Sequence, residues 1–175
     1  MLSSPLRREE GFRILVREYK RRLYWHIRAI VLSHEDADDV LQNTFVRIFR
    51  SIGKFRGQSA LYTWMYRIAT NEALSLLKSR ARSRNLSFEE LQKSMVDSLA
   101  GDPYFDGDEL ELKLQQAIVS LPEKQQLVFR MKYLQEMKYE AMSEVLGTSV
   151  GSLKASYHHA RKKIEAQLLK LDTHE

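Results

Sequence analysis

Between Phe55 and Arg82 (FRGQSALYTWMYRIATNEALSLLKSRAR) four aromatic residues, Phe55, Tyr62, Trp64 and Tyr66, are interleaved with Arg56, Arg67, Lys78, Arg80 and Arg82, and Glu72 is the only acid. Aromatic faces stack unpaired bases and cations track a phosphate backbone, so this chemistry suits a single strand. Between Tyr139 and Leu168 (YEAMSEVLGTSVGSLKASYHHARKKIEAQL) the pattern is short helix, glycine turn, long basic helix. That is the layout of a helix-turn-helix, whose second helix enters a major groove. Subtracting the inward stripe of the long helix leaves Ser152, Lys154, Ala155, Ser156, His158, His159, Arg161 and Lys162 outward. Small residues near its start allow close approach to the groove, while the longer donors reach base edges and phosphates. Together the two segments point to a chain that reads duplex DNA and grips a single strand.

Each segment has a plainer reading. Aromatics in a small bundle are usually core, and Tyr66 is expected there. A basic face on a terminal helix can be simply solvated. Phe55, Tyr62 and Trp64 cluster at a turn and a helix start, where side chains are commonly exposed. The remaining polar residues exclude more than they suggest. His158 and His159 are adjacent in a helix and diverge, and with His26, His34 and His174 scattered no metal ligand set forms. Asp36, Asp38 and Asp39 read as a charge arrangement at a helix start rather than as a metal site. No phosphate-binding loop, nucleophile elbow or acid–base pair appears, so neither an enzyme nor a cofactor is expected.

The elements that must position these groups are helical. Seven glycines and three prolines are few for 175 residues, and the balance of 28 Lys and Arg against 23 acids gives +5, a mild preference for an anionic partner. The absence of cysteine excludes disulfides and thiol chemistry. No apolar run approaches a membrane span and MLSSPLRREEGF has no apolar signal core, so a cytoplasmic location without membrane insertion is expected. Phe12, Val16, Tyr19, Leu23, Ile27 and Ile30 predict a helix over about Glu9 to Leu32. Ser33 can cap a second helix with the stripe Leu41, Phe45, Ile48 and Ile52, ended by Gly53. Gln42 and Arg47 lie opposite that stripe, free for a partner. After the turn FRGQS, a third helix buries Leu61, Met65, Ile68, Ala69, Ala73 and Leu76.

Asn85 to Glu111 has eight acids against one base, Lys93, and several breakers; a local helix over Phe88 to Leu99 is allowed, but it reads mainly as an acidic linker. Helical periodicity resumes at Leu110, Leu114, Ala117, Ile118 and Leu121, then Pro122 opens a helix with Leu127, Met131 and Leu134. Gly147 suits the turn before the last helix, capped by Thr148 or Ser149, whose inward stripe is Val150, Leu153, Tyr157, Ala160, Ile164 and Leu168. The expected fold is all-α: two small helical domains, an N-terminal helix bundle and a C-terminal helix-turn-helix domain, joined by an acidic flexible linker, with bounds 1–84, 85–109 and 110–175.

DADDVLQNTFVRIFRSIGKFRG (Asp36 to Gly57), SALYTWMYRIATNEALSLLK (Ser59 to Lys78), LPEKQQLVF (Leu121 to Phe129) and SVGSLKASYHHARKKI (Ser149 to Ile164) resemble the sigma factors of bacterial RNA polymerase, specifically the small extracytoplasmic-function class of the sigma-70 family. The resemblance covers most of both domains in the family's order. It implies a promoter-specificity subunit that binds core RNA polymerase and opens promoter DNA, without catalysis of its own. It implies polymerase-binding residues at Asp38, Asp39, Gln42, Asn43 and Arg47, with Phe45 on the same helix. Melting and capture of the −10 element fall to Arg56, Ser59, Tyr62, Trp64, Arg67, Asn71 and Lys78, and −35 reading to Ser152, Lys154, Ala155, His158, His159, Arg161 and Lys162. The linker is similar to the segment that threads toward the polymerase active-site channel, and an anti-sigma factor is a further partner many relatives have. The chain departs from the usual pattern at Asn43, at Met142-Ser143 and at His159, where neutral histidine offers one donor against a guanidinium fork. Two other readings stay open: a stand-alone helix-turn-helix regulator, which leaves the Phe55–Arg82 segment without a purpose, and a sigma-like decoy for an anti-sigma protein, in which loss of the basic and aromatic groups would be expected.

Overall fold

The structure, a computed structural model, describes residues 4–172; His174 lies outside them. The chain separates into two compact units, 1–76 and 77–175. Each is helical, with no strand among the described residues.

In the first unit, α1 (Pro5–Val31) starts where Ser4 accepts a hydrogen bond from the Arg7 amide and Pro5 supplies the first helical φ. Leu32, at φ +63°, breaks α1, and Ser33 then caps α2 (His34–Ser51), its hydroxyl accepting from the Asp36 amide at 3.3 Å. Glu35 and Asp36 stand in that first turn, against the positive end of the helix dipole. The expected stripe is inside: Leu41, Phe45, Ile48 and Ile52 are buried with Leu23, Ile27, Ile30 and Val31 of α1. The helix runs into a 3-10 turn, Ile52–Lys54, rather than stopping on a left-handed Gly53. The next loop bends at Gly57, whose φ of +70° few other residues tolerate. Then α3 (Leu61–Ser83) closes the bundle with Met65, Tyr66, Ala69 and Ala73. Leu77, one position beyond the expected Leu76, is the fully buried leucine of α3 and falls in the second unit.

The second unit contains α4 (Phe88–Asp97), α5 (Glu109–Val119), α6 (Glu123–Phe129), α7 (Tyr139–Leu146) and α8 (Val150–Asp172). Its core joins Ala117, Ile118, Leu121, Phe129, Ala160 and Ile164, with Leu114, Tyr157 and Leu168 packed against it. Two expectations fail here. Leu110 is 63% exposed, because it lies in the first turn of α5 before that helix reaches the core. After Phe129 the α6 helix loosens into a π-helical turn, Arg130–Leu134, whose wider repeat rotates its later residues about the axis. Met131 is therefore buried while Leu134 turns outward, and Val128 and Phe129 are already buried at the end of α6.

The expected linker has its own structure. Ser87 and Glu90 form a reciprocal cap at the start of α4: the Ser87 hydroxyl accepts from the Glu90 amide at 3.1 Å, and the Glu90 carboxylate accepts from the Ser87 amide at 2.7 Å. Leu91, Val96 and Leu99 are buried, as is Gln92. The acids that make the stretch look like a tether sit on its surface; the few apolar residues, at helical spacing, suffice to dock it. Among the described residues no helix is long and apolar enough to cross a membrane, and no group of three or more His, Asp or Glu side chains is placed to hold a metal ion.

Candidate nucleic-acid interface

Trp64, Arg67, Asn71 and Lys78 are separated by three, four and seven residues, so a 3.6-residue repeat sets them on one face of α3. Arg67, Asn71 and Lys78 are exposed, and Trp64 is half-buried because Phe55 leans on it at 5.1 Å between ring centres. The Phe55–Trp64 pair stands where the loop delivers Arg56 and Ser59, the former exposed and the latter half-buried. Tyr62 falls on another side of the helix. Its ring meets Tyr66 edge-on at 6.0 Å, and the Arg22 guanidinium of α1 lies 5.7 Å from its centre. Tyr66 itself is core, as expected; burial raises its phenol pKa, against the pull of Arg22. Lys78 Nζ is 3.2 Å from the Glu123 carboxylate, so a partner must compete for it.

In the second unit, α7 ends at Gly147, whose φ of +66° lets its amide close on the Ser143 carbonyl at 2.9 Å. Ser143 Oγ donates to the Thr148 carbonyl at 2.6 Å, holding the turn. Ser149, not Thr148, caps α8: its hydroxyl accepts from the Ser152 amide at 3.2 Å. The inward stripe then holds Leu153, Ala160 and Ile164 in the core and leaves Lys154, Ala155, His158, His159, Arg161 and Lys162 exposed on α8. Ser152 is half-buried and accepts from Lys124 Nζ at 2.8 Å. Arg161 donates to Glu165 at 2.8 Å, and that hydrogen bond raises its pKa and fixes its cationic form.

Neighbours that spacing could not reveal complete this face. Lys132 Nζ lies 4.4 Å and Lys154 Nζ 5.7 Å from the ring centre of Tyr139, so one ring gathers two cations from different helices. Lys124 arrives on α6. These residues are distant in sequence and only the packing of α6 and α7 against α8 brings them in.

On α2, Asp38, Asp39, Gln42, Asn43 and Arg47 are all exposed. Arg47 is not free, however. It forms a close ion pair with Glu72 of α3. Asp38 is 3.3 Å from His34 Nε2, and the Nδ1 of the same ring shares a hydrogen bond with the Tyr24 hydroxyl at 2.6 Å. Beside Gln42 runs a groove of about 1050 Å³ between α1 and α2, floored by Phe12, Val16, Leu41, Phe45, Val46 and Phe49.

Two family models match, Sigma-70 region 2 over residues 15–83 and Sigma-70 region 4 over residues 111–164. The chain is 30% identical over 168 residues to the RNA polymerase sigma-H factor of Pseudomonas aeruginosa, covering 91% of this chain and 87% of that one. It is also 30% identical over 168 residues to the ECF RNA polymerase sigma-E factor of Haemophilus influenzae, with 91% and 88% covered. The chain belongs to the extracytoplasmic-function sigma factors of the sigma-70 family.

As a sigma factor it is a promoter-specificity subunit. Its fold agrees with two solved structures: the sigma factor RpoE with the anti-sigma factor NepR from Bartonella quintana (TM-score 0.68, 19% identity, 91% of this chain and 97% of that one) and CnrH with the cytosolic domain of CnrY (TM-score 0.66, 23% identity, 94% and 90% covered). The α3 face that carries Trp64, Arg67, Asn71 and Lys78 lies within the region 2 match, and α7 with most of α8 lies within the region 4 match. Helix α4 falls between the two matches.

Proposed function

We propose that this sigma factor docks on core RNA polymerase through the exposed face of α2, captures the displaced −10 strand on α3 and its preceding loop, and reads duplex −35 DNA with α8. The carrying observation is that Trp64, Arg67 and Asn71 share one exposed face beside a loop. A stacking ring, a cation and an amide there can hold an unpaired base, orient its phosphate and read its edge. Arg56, Ser59 and Tyr62 border this site, and Lys78 joins it once released from Glu123. The functional division is 1–84 for polymerase and −10 binding, 85–109 as connector and 110–175 for −35 binding.

On α8, Ser152 and Ala155 let the helix approach the groove, His158 and His159 offer neutral donors to base edges, and Lys154, Arg161 and Lys162 serve phosphates or guanine. Asp38, Asp39, Gln42 and Asn43 contact polymerase directly. Arg47 contributes less, because Glu72 already holds it. The groove beside Gln42 supplies the apolar part of that docking surface. An anti-sigma protein covering the same face would silence the factor, as the partners named in the two solved complexes suggest. The protein works in the cytoplasm, where its polymerase is, and the chemistry of transcription stays with that enzyme.

The test is transcription with core polymerase on a library of random promoters, then permanganate mapping of open thymines on a selected one. Trp64→Ala and Asn71→Ala should leave polymerase affinity unchanged and lower open-complex formation by about tenfold, since base stacking is worth about 1–3 kcal/mol per base. Normal thymine reactivity with both folded variants would defeat the strand-capture assignment.

A further inference from the structure

Trp25 is 58% exposed, an unusual place for the largest apolar side chain on a helix that has a core to join. Its helix neighbours at three and four residues are Arg21, Arg22, Arg28 and Ala29, so three of the four positions that border it are arginine. Only one flank of the ring is held, edge-on against Tyr24 at 5.2 Å. Arg28 donates to the Tyr24 hydroxyl at 3.3 Å. Arg21 makes no ion pair among the described residues. The nearest acid on this face, Glu18, is engaged by Arg17 at 3.2 Å.

Through Arg22 this patch adjoins Tyr62, at the border of the strand-capture site. Arg22 is its hinge: it borders Trp25 on α1, and its guanidinium lies over Tyr62 of α3, which with Tyr66 faces away from Trp64. An indole flanked by guanidinium groups has the makeup of a sequence-tolerant single-strand platform, stacking a base and tracking its phosphates. An apolar protein partner would find three desolvated arginines around the ring, an expensive interface without matching acids.

We propose that the Arg21–Arg22–Trp25 face of α1 is a second single-strand subsite, which takes one further base and its phosphates from the same strand that α3 captures. This rests on the reading of α3 as the −10 strand site. It assigns α1 a nucleic-acid role in addition to its packing role, with little base preference because stacking, not edge contacts, does the binding.

The experiment uses holoenzyme assembled from core polymerase and the full chain, with two fluorescently labelled DNA single strands. One holds only the −10 element selected from the random library; the other extends it on both sides. Wild type should bind the extended strand about tenfold more tightly, and Trp25→Ala should remove that gain while leaving the short strand unchanged. Trp25→Phe should restore part of the gain, which a merely structural role would not predict. Arg21→Ala should flatten the salt dependence for the extended strand alone. Equal affinity of wild type for both strands would overturn the subsite while leaving the α3 reading intact; failure of wild type to bind the short strand would overturn the α3 reading first. Loss of polymerase binding in Trp25→Ala, with strand affinity retained, would make the patch a protein contact and overturn the proposal.

Discussion

The two units bury their polar groups in opposite ways. In the first, the buried hydroxyls are satisfied within their own helix or at its start: Thr44 donates to the Val40 carbonyl, Thr63 to the Ala60 carbonyl and Thr70 to the Tyr66 carbonyl, each at 2.7 Å. One fully buried bond that does tie two of its helices is His26 Nε2–H to the Thr70 hydroxyl at 2.7 Å. In the second, buried amides reach across the sequence. Gln92 and Gln126 exchange reciprocal hydrogen bonds at 2.8 Å over 34 residues, and Gln126 also donates to the Leu121 carbonyl at 2.7 Å. Arg130 donates to Gln115 at 2.9 Å, and desolvation lowers its pKa to about 10 against the raising field of Glu111. Self-satisfied hydroxyls leave helix placement to apolar packing; cross-linked amides specify one mate. The first design fixes a bundle by its stripes. The second design fixes where α4 goes.

The largest expected effect tests what the two designs share. Ile27 and Leu153 are each fully buried, so Ile27→Ala and Leu153→Ala should each cost about 2–5 kcal/mol. Their consequences should separate: loss of −10 single-strand capture for the first, loss of −35 duplex binding for the second. Binding titrations with both DNA forms, read beside thermal melts, check this. If either variant abolished both activities equally, the assignment of one task to each unit would fall.

The designs themselves are compared by removing one polar group from each. Gln126→Leu strands the buried Gln92 amide, at a cost of about 1–3 kcal/mol, whereas Thr44→Val removes a bond that only decorates its own helix and should cost less. The double variant Gln92→Leu with Gln126→Leu should regain part of the loss, since two apolar groups of similar size need no partners while the Leu121 carbonyl still loses its donor. Denaturant melts of wild type and the three variants suffice. A Thr44→Val cost equal to that of Gln126→Leu would erase the distinction.

The same distinction explains what is legible in the sequence. Where apolar packing decides, periodicity is enough: Leu41, Phe45 and Ile48 on α2, and Leu153, Ala160 and Ile164 on α8, are buried as their spacing predicts. The helix-turn-helix is legible because Gly147 sits where only a left-handed residue closes the turn. The hidden features lack a periodic signal. The π turn at Arg130–Leu134 changes the repeat itself, so Leu134 is expected inward and faces out. Docking of α4 depends on an amide pair whose members look like ordinary surface glutamines. Arg47 reads as free on its own helix because Glu72 reaches it from another. On α3, residue type singles out Trp64, Arg67 and Lys78 while Asn71 comes only from the family resemblance, whereas Lys124, Lys132 and Tyr139 join α8 only through packing.

The smallest expected effect asks whether α4 holds on by its cap as well as by its amides. Ser87 and Glu90 satisfy two amides that would otherwise open the helix end, so Ser87→Ala should cost about 1 kcal/mol, felt locally as faster hydrogen exchange from Leu91 to Val96. The cap also predicts a pH response. The backbone hydrogen bond from Ser87, helped by its hydroxyl, holds the Glu90 carboxyl below the ordinary 4.5. A carboxylate depressed by folding stabilises at pH above its ordinary value, and that contribution is lost as pH falls through the lower folded value. Exchange from α4 should therefore quicken on acidification below about 4.5, while Glu90→Gln, which keeps an acceptor but cannot titrate, should flatten that dependence. The amides of α8 serve as the internal control, because Ser149 caps them with a hydroxyl, which does not titrate in this range, and no acid stands in that first turn. If α8 and α4 quickened together, the acid response would belong to global unfolding rather than to the cap of α4.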